Sequence, residues 1–442
     1  MRIAWFIGRF PVVSETFIIR QITGLLDLGH EVHVYADTGV DGGGPEHPEV
    51  AKYHLLERTT YMRMPPETSP YEMPVWPITG RTWPPGASTS IPNARRLLKA
   101  LAPFARSFTR APRLALHAVR SSEYGYQASS LSALYRLDGV ASAPRSYDVL
   151  HAHYGPVGNS YRFARKLFNA PFIVSFYGYD CWAVPRKEGP DVYRKLFSTS
   201  DQVLILADEM GRQLQTLGSP PSQQKKLAVG VRVQDFLFRE RNLQRGEPVR
   251  FLTIARFVEK KGIEYSLRAI SEAHKRRGGL KYDIIGDGPL RSKIEKLIAE
   301  LQLQSIVTLH GYCEGKRVQE LMNNAHILLL SSVTAADGDQ ECTPVSLMDA
   351  QASGMPALST LHSGIPEVAP DGKVGFLVPE RDVSALAERI GFLADHPEVW
   401  PGMGRAGRAH VVENYNCEKL SRQLVEIYRG TIDLPGSPKG SP

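Results

Sequence analysis

The sequence predicts an α/β protein made of two doubly wound, Rossmann-like parallel-sheet domains that face a cleft. Short apolar runs typical of buried β-strands alternate with helical patterns along the chain. Each half of the chain contains one such alternating series. A charged, polar stretch at 239–248 is predicted to be the linker between the halves. At 442 residues the chain is also longer than a single hydrophobic core usually supports.

The first half is predicted to form an N-terminal domain over 1–238. Its strands are expected at 3–7, 31–36, 149–153, 172–176, 203–207 and 227–231, and its helices at 14–28, 158–167, 191–197 and 209–217. This order implies parallel strands joined by right-handed crossovers. A segment at about 40–145 interrupts the pattern. Its first part, to residue 92, is rich in Pro and Gly, so we expect an irregular and basic insertion there.

The second half repeats the scheme over 249–410. Its strands are expected at 250–255, 282–285, 307–309, 327–331 and 357–359, and its helices at 262–275, 289–301, 316–323 and 344–353. Ligands of such sheets bind at the carboxyl ends of the strands. The final residues, 431–442, are rich in Pro, Gly and Ser and are predicted to be disordered.

The formal net charge is +7, and much of the excess lies in one segment at 95–120. Basic residues there alternate with Leu and Phe, namely Arg95, Arg96, Lys99, Arg106, Arg110, Arg113 and Arg120. This pattern suits contact with an anionic membrane surface or an anionic acceptor, and equally a solvated helical face. No sequence motif of a nucleic-acid-binding domain is found, so no nucleic-acid partner is predicted.

The remaining composition favours a cytoplasmic protein, in peripheral contact with the inner face of the membrane if the basic segment binds lipid. No run of about 18 apolar residues is present, and the first residues resemble a strand rather than a signal peptide. The four cysteines lack the spacing of a zinc site or a disulfide framework, which fits a reducing compartment. No metal site and no cofactor are predicted.

The most informative motif runs from Glu341 to Asp349. Thr343 and Pro344 are predicted to be the N-cap and first residue of a helix. A helix start offers free N–H groups and the positive end of the dipole, which suits a phosphate. The two carboxylates around it can hold the hydroxyl groups of a sugar and of a ribose. The motif therefore outlines a nucleotide-sugar site.

Two loops of the second half supply groups for the same ligand. Arg256 and Lys261, followed by Gly262, come after the first strand, where Arg can grip two phosphate oxygens and Lys acts as a point charge. Gly286 and Gly288 follow the second strand and permit a close backbone approach. The alternative interpretations are solvated cations for the Arg256 loop and an ordinary turn for Gly286 and Gly288. Tyr312, after the third strand, is placed to contact a base.

The first half contributes residues at three strand ends. His151 and His153 lie on the same face of one strand. A metal would need a third ligand, so a polar contact of His153 in the cleft is preferred over a metal site, and a hydrogen-bonded core histidine is the other alternative. Tyr177, Gly178 and Asp180 end the next strand. Ser14 is predicted to cap the first helix beside Glu15.

Together these motifs resemble family 4 glycosyltransferases of the GT-B fold, in particular the bacterial exopolysaccharide branch of the colanic-acid and amylovoran type. The resemblance is carried by 14–17, 151–155, 176–180, 256–262, 286–289, 341–349, 353–356, 363–367 and 375–379. It implies a hexosyltransferase that moves a sugar from a nucleotide-diphospho-sugar to a glycan, lipid-linked or small-molecule acceptor, with retention and without a metal. It also implies a final helix, at 411–430, that crosses back to the first domain.

The resemblance assigns roles to matching positions. Arg256 and Lys261 would neutralise the leaving diphosphate, Glu341 would hold donor-sugar hydroxyls, and Asp349 would hold the ribose. The predicted catalytic residues are Glu341, Arg256, Lys261 and His153. The predicted substrate-binding residues are Ser14, Glu15, Tyr177, Gly178, Asp180, Gly286, Gly288, Tyr312, Cys342, Thr343, Pro344, Val345, Ser346 and Asp349.

The chain departs from the family pattern at three positions. Asp349 replaces Glu, Tyr177 replaces the His that relatives place near the sugar and acceptor, and Val13 stands where a Gly-Gly turn is common. Three alternative functions remain open on the sequence: a GT-B sugar-nucleotide epimerase, a glycosyltransferase that tailors a natural product, and a basic, non-catalytic binding scaffold. For retention, attack from the face of the leaving group is favoured over a covalent intermediate on Glu341.

Overall fold

The computed structural model describes residues 1–12, 15–39, 47–62, 94–142, 146–313, 315–436 and 438. It contains two all-parallel sheets, which confirms the predicted pair of Rossmann-like domains. The N-terminal sheet has the order β3-β2-β1-β4-β5-β6-β7. Its strands are β1 Arg2–Arg9, β2 Glu31–Thr38, β3 Thr59–Tyr61, β4 Val149–His153, β5 Phe172–Ser175, β6 Gln202–Ile205 and β7 Gln224–Lys226.

The C-terminal sheet has the order β10-β9-β8-β11-β12-β13. Its strands are β8 Val249–Ile254, β9 Leu280–Ile285, β10 Val307–Gly311, β11 Ile327–Leu330, β12 Ala357–Thr360 and β13 Gly375–Val378. In both sheets the chain order reverses beside the first strand, and ligands bind at such points in doubly wound folds.

Helices cover the faces of both sheets, because buried strands need apolar partners on each side. Those of the N-terminal half are α1 Thr16–Asp27, α2 Pro48–Lys52, α3 Ala94–Arg110, α4 Pro112–Ala118, α5 Ser121–Tyr124, α6 Tyr126–Ser129, α7 Ser132–Ala141, α8 Gly155–Tyr161, α9 Ala164–Phe168, α10 Tyr179–Glu188, α11 Arg194–Phe197 and α12 Asp208–Thr216. Those that follow are α13 Ile263–Arg277, α14 Arg291–Glu300, α15 Gly315–Asn324, α16 Val345–Ala352, α17 Ile365–Val368, α18 Val383–Asp395, α19 Trp400–Asn414 and α20 Cys417–Ile432.

Of the insertion predicted at about 40–145, residues 94–141 form the five helices α3–α7 and are not irregular, whereas most of the Pro- and Gly-rich part to residue 92 lies outside the described residues. Arg136 on α7 is fully buried and makes a double hydrogen bond to Asp37 at the end of β2, at 2.7 and 2.8 Å. This ion pair fastens the helical insertion to the sheet, since a buried charge is stable only when it is paired.

The predicted strand at 227–231 is wrong. The sheet ends with β7, which lies earlier, and Val231 instead exchanges backbone hydrogen bonds with Tyr415 and Cys417, at 2.8 and 3.0 Å. The apolar run is buried because it packs against the N-terminal core and the last helix: Leu227 and Leu420 share one apolar cluster, and a Cβ on Gly230 would lie 2.8 Å from Leu420. Burial alone therefore produced a strand-like pattern there.

The C-terminal helix α20 packs on the N-terminal domain. The hydroxyl of Tyr428 accepts a hydrogen bond from the Trp5 indole at 3.3 Å and lies 2.7 Å from Nδ1 of His151. All three side chains are buried, so the last helix completes the core beneath β1 and β4. The predicted disordered tail, 431–442, begins too early, because Thr431 and Ile432 belong to α20; residues 437 and 439–442 lie outside the described residues.

Candidate active site

The loop after β8 turns sharply before α13. Gly262 has φ +62°, and a Cβ on it would lie 1.8 Å from the carbonyl oxygen of Ser331, so only glycine fits this position. The preceding residues, Glu259–Lys261, form a single 3-10 turn. This turn directs Lys261 toward the loop that follows β11, where Glu341 lies.

Lys261 and Glu341 form a buried ion pair, with side chains 12 and 14% exposed. Burial by itself would raise the pKa of the Glu341 carboxyl, but the charges of Lys261, Lys260 and Arg256 outweigh it and lower the pKa to about 2. Glu341 is therefore a carboxylate at any physiological pH. Beside it, Lys260 pairs with Asp339 at 2.9 Å. Two predicted catalytic residues are thus in direct contact.

Sequence reasoning missed two residues that hold Glu341. The backbone N–H of Glu341 donates to Nε2 of His362 at 3.0 Å, and Nδ1 of His362 lies 2.5 Å from Oε1 of Glu380. Glu380 also accepts from the backbone N–H of Thr334 at 2.8 Å. His362 follows β12 and Glu380 follows β13, and only the first of these strands is predicted from the sequence, so a strand-end signal was available for His362 alone.

Arg256 is exposed at the mouth of the same loop, and it makes no ion pair with any described residue. Its charge nevertheless helps to lower the pKa of Glu341 and opposes the rise that burial causes in the pKa of Glu15, so Arg256 lies near a carboxylate of each half of the molecule. An unpaired guanidinium beside a lysine is suited to bind a diphosphate. The predicted pair of cations is thus brought together in space.

The start of α16 differs in detail from its prediction. Pro344, not Thr343, is the N-cap, and the helix begins at Val345. Oγ1 of Thr343 is buried with no hydrogen-bond partner among the described residues. The N–H groups of Val345 and Ser346 have no acceptor within the helix, so they are available to an anion. The helix start still offers free N–H groups to an anion, although the predicted N-cap is wrong.

Cys342 lies in the same turn and is buried. Its carbonyl oxygen would be 2.6 Å from a Cβ at Gly364, so the turn packs tightly against the start of α17. Cys342 therefore contributes backbone and shape to the site instead of a reactive thiol, since burial raises the pKa of that thiol well above its usual value.

Asp349 lies further along α16. Its Oδ1 has no hydrogen-bond partner among the described residues and is 3.9 Å from Nη1 of Arg20 on α1. Burial raises the pKa of the Asp349 carboxyl to about 6, although the charge of Arg20 opposes the rise. A buried acceptor without a partner is uncommon in a folded protein, and a ligand hydroxyl would satisfy it.

The two glycine loops pack against the Arg256 loop. Gly286 has φ +141°, and a Cβ there would lie 1.9 Å from the carbonyl oxygen of Ala255. The N–H of Gly286 donates to the carbonyl of Gly311 at 2.8 Å, and the N–H of Phe257 donates to the carbonyl of Asp287 at 2.9 Å. Gly288 and the exposed Tyr312 continue these loops, so both predicted residues lie at the same sheet edge as Arg256.

The facing wall is built from β4 and β5. Nδ1 of His153 lies 2.6 Å from the hydroxyl of Tyr177, and the buried Nε2 of His153 has no partner among the described residues. Burial holds the pKa of His153 well below its usual value, so the ring is neutral. His151 differs, because both of its ring nitrogens are hydrogen-bonded, to Tyr428 and to Ser175. His151 is thus the core histidine of the pair.

Asp180 is fully buried and holds the loops that carry the wall. Its carboxylate accepts from the N–H groups of Tyr177, Gly178 and Gly155 at 2.9, 3.0 and 2.9 Å. Both oxygens are therefore engaged, which makes Asp180 a positioning residue. Gly178 lies against the other domain, since a Cβ on it would be 3.1 Å from the carbonyl oxygen of Gln340, next to Glu341.

The first helix closes the site. Ser14 lies outside the described residues, and the N-cap of α1 is Glu15. The Glu15 carboxylate accepts from the hydroxyl of Tyr154 at 3.0 Å. Burial raises the pKa of Glu15 to about 7, against the opposing effects of Tyr154 and Arg256. Glu15 thus brings a titratable group to the cleft opposite Arg256.

Comparison with known proteins decides the family. Residues 14–230 match the model of the glycosyl transferase 4-like domain, and residues 234–410 match that of glycosyl transferases group 1. The chain is 31% identical over 437 residues to the putative colanic acid biosynthesis glycosyltransferase WcaL of Salmonella typhimurium, covering 97% of this chain and 99% of that protein. The chain belongs to this family of glycosyltransferases.

Two further comparisons agree with this assignment. The amylovoran biosynthesis glycosyltransferase AmsK of Erwinia amylovora is 29% identical, with 97% of this chain and 99% of that protein covered. The crystal structure of HepE from Anabaena, in complex with UDP and glucose, superposes with a TM-score of 0.66. The superposition covers 97% of this chain and 100% of the HepE chain, at 13% sequence identity, which shows that the two proteins share the GT-B fold. The protein is an enzyme, a glycosyltransferase, as predicted.

Proposed function

We propose that this glycosyltransferase moves a sugar from a nucleotide-diphospho-sugar to an acceptor hydroxyl during assembly of a bacterial exopolysaccharide, with retention of anomeric configuration and without a metal. The observation that carries the proposal is the buried Lys261–Glu341 pair, next to the open helix start at Val345 and Ser346. The names of WcaL and AmsK support the biosynthetic role. The UDP and glucose bound by HepE support a nucleotide-sugar donor.

The donor is held by groups of matched charge. Arg256, Lys261 and the first N–H groups of α16 face the diphosphate and stabilise the negative charge that develops as the glycosidic bond breaks. Glu341, fixed as a carboxylate, accepts hydrogen bonds from hydroxyls of the donor sugar. Asp349 accepts a hydrogen bond from the ribose. Because cations and amides supply the neutralising charge, the reaction proceeds without a divalent metal.

Retention follows from the position of the acceptor relative to the donor. Glu341 is ion-paired with Lys261, so its carboxylate is a poor nucleophile for a covalent intermediate. We infer that the acceptor hydroxyl attacks from the face that the diphosphate leaves. A diphosphate oxygen then takes the acceptor proton as the new glycosidic bond forms. The neutral His153, with Tyr177, lies on the facing wall and positions the sugar and the acceptor.

The proposal is tested by a thermal-shift screen of UDP-, GDP-, ADP- and dTDP-sugars. At about 100 times the dissociation constant, a true donor should stabilise the protein by roughly 2.7 kcal/mol. Incubation of that donor with acceptor glycans, in EDTA, should yield a product whose anomeric configuration by NMR equals that of the donor. Inverted product, or activity that is lost in EDTA and restored by Mg²⁺ or Mn²⁺, would contradict the respective part of the proposal.

We also propose that the enzyme works at the cytoplasmic face of the membrane, in peripheral contact through α3 and α4. None of the helices in the described ranges is long and apolar enough to cross a membrane. Leu97, Leu98 and Leu101 are 51, 67 and 62% exposed on one side of α3, while Lys99 and Arg110 are exposed on the same helix. Apolar side chains beside cations are what an in-plane helix presents to an anionic bilayer.

Vesicle flotation tests this contact. The protein should float with vesicles that contain anionic phosphatidylglycerol and not with vesicles of phosphatidylcholine alone. Leu98→Glu should abolish flotation, whereas Leu237→Glu, at a leucine that is 64% exposed outside α3 and α4, should not. Equal flotation of both variants would show that α3 is only a solvated helix.

A further inference from the structure

A cavity of about 360 Å³ lies between the two domains, beside the loop that carries Glu341. Its N-terminal side is formed by α10 and α12, including Trp182, Arg186 and Gln213. Its other side is the loop between β11 and α16, with Gly338 and Gln340. The volume is near the lower end of the range for small-molecule sites, about 300–1,000 Å³, and suits one or two sugar rings.

The cavity adjoins the reaction site through one stretch of backbone. Gln340 lines the cavity and directly precedes Glu341. The carbonyl oxygen of Gln340 accepts from Nζ of Lys260 at 3.4 Å and lies against Gly178 of the facing wall. A chain of sugar rings that receives the donor sugar beside Glu341 can therefore extend into this cavity.

The lining suits a sugar ring in its chemistry. Trp182 is partly buried against the core, which fixes its indole ring at the cavity wall. Trp182, Gln213 and Gln340 are each partly exposed at the cavity, and no hydrogen bond from the indole N–H or the two side-chain amides is found within the described residues. An aromatic face that binds the apolar side of a ring, with amides for its hydroxyls, is the combination that a saccharide needs.

The same lining argues against a second nucleotide. Arg186 is the cation of the lining, and its Nη1 lies 3.5 Å from the carbonyl of Ala336. The guanidinium rests on Gly338, where a Cβ would be 2.7 Å from Nη1. A diphosphate would need more positive charge than this, whereas the remaining N–H groups of Arg186 suit hydroxyls.

We propose that this cavity is an acceptor subsite, which binds the sugar ring next to the one that receives the transferred sugar. The assignment rests on the proposed glycosyl transfer. It names the class of the second substrate, which is a saccharide acceptor. Trp182 stacks on the ring, and Gln213 and Gln340 select its hydroxyl pattern. The enzyme therefore prefers an acceptor of at least two sugar rings over a single one.

The test uses the full-length enzyme with the nucleotide-sugar that stabilises it in the donor screen. Acceptors are p-nitrophenyl glycosides of glucose, galactose, mannose, fucose and glucuronic acid, and the corresponding disaccharides. Trp182→Ala and Gln213→Ala should each raise the acceptor KM about tenfold, the scale of one lost stacking or hydrogen-bond contact. The donor KM and acceptor-independent hydrolysis of the donor should stay within twofold of wild type.

Two further variants separate binding from folding. Trp182→Phe keeps an aromatic face and should recover most of the acceptor affinity. Arg212→Ala lies on the same helix as Gln213 but pairs with Glu209 outside the cavity, so it should match wild type. A lower melting temperature of Trp182→Ala with unchanged acceptor KM would show a purely structural tryptophan and overturn the assignment.

The remaining outcomes are distinct. An acceptor KM within twofold of wild type in both Trp182→Ala and Gln213→Ala overturns the subsite and leaves the proposed transfer standing. A wild-type enzyme that hydrolyses the donor but transfers to no glycoside or disaccharide also counts against it, because a sugar subsite should accept one of them. A protein that neither binds nor hydrolyses any nucleotide-sugar refutes the proposed function itself.

Discussion

The Lys261–Glu341 pair gives a prediction whose size follows from the structure. The Glu341 pKa lies at about 2, against an ordinary value of 4.5. At about 1.4 kcal/mol per pH unit, the difference corresponds to about 3 kcal/mol from the carboxylate, and burial of Lys261, which lowers the pKa of that ammonium, offsets part of it. Because the folded-state pKa is the lower one, this contribution is fully present above pH 4.5 and is lost as the pH falls toward 2.

Lys261→Met removes the main partner of Glu341 and leaves a buried carboxylate. We expect a loss of about 3 kcal/mol in the free energy of unfolding at pH 7, the lower end for a broken buried pair, because Lys260 and Arg256 remain nearby. Turnover should fall at least about 100-fold, the scale of one lost transition-state contact. Adding Glu341→Gln to Lys261→Met should recover part of the stability and none of the turnover.

The assay is urea unfolding at several pH values, followed by circular dichroism, with turnover measured on the same proteins. The difference between wild type and Lys261→Met should narrow between pH 5 and pH 3. Arg268→Met is the control, since Arg268 forms an exposed ion pair with Glu264 at 2.9 Å and should contribute under about 1 kcal/mol. A stability difference for Lys261→Met that is as small as the control, or constant with pH, would refute the reasoning.

Three further predictions concern single groups of the site. Gly262→Ala should destabilise the protein by more than about 1 kcal/mol in urea unfolding, since its Cβ would meet the carbonyl of Ser331, whereas Gly391→Ala, with no atom within 4 Å, should not. Nucleotide-sugar affinity by calorimetry should fall as the pH drops below about 6, because Asp349 then takes up a proton and loses acceptor capacity, and Asp349→Asn should lack this dependence. His153→Ala should lower turnover about 10- to 100-fold with unchanged donor affinity, since it removes the group that orients Tyr177, and equal losses in both quantities would contradict that role.

Much of the architecture could be read from local patterns. Buried strands such as Ile327–Leu330 are continuous apolar runs, and the strand–helix order fixes a parallel sheet with its ligands at one edge. The short edge strands at Thr59–Tyr61 and Gly375–Val378 escaped prediction. They have too few residues to show a period, and their pairing depends on neighbours distant in the chain.

The candidate active site also contains residues that local sequence patterns predict and residues that they do not. Arg256, Lys261, Glu341 and a helix start beside Thr343 and Pro344 were recognisable because each carries its chemistry in a short motif, although the helix begins one residue later than predicted. His362 and Glu380 were not, because nothing local shows that their side chains reach the backbone of Glu341.

The sequence by itself determined which chemical groups end the strands, since strand order and motif spacing are local properties of the chain. Only the tertiary structure decided which of them meet. It turned His151 inward to Tyr428 and left Nε2 of His153 without a partner, although the two histidines share one strand face. It also lowered the pKa of Glu341 and raised that of Asp349, although both carboxylates flank the same helix start. The reason is that burial and charge depend on neighbours brought from distant parts of the chain, here Lys261 for one carboxylate and Arg20 for the other.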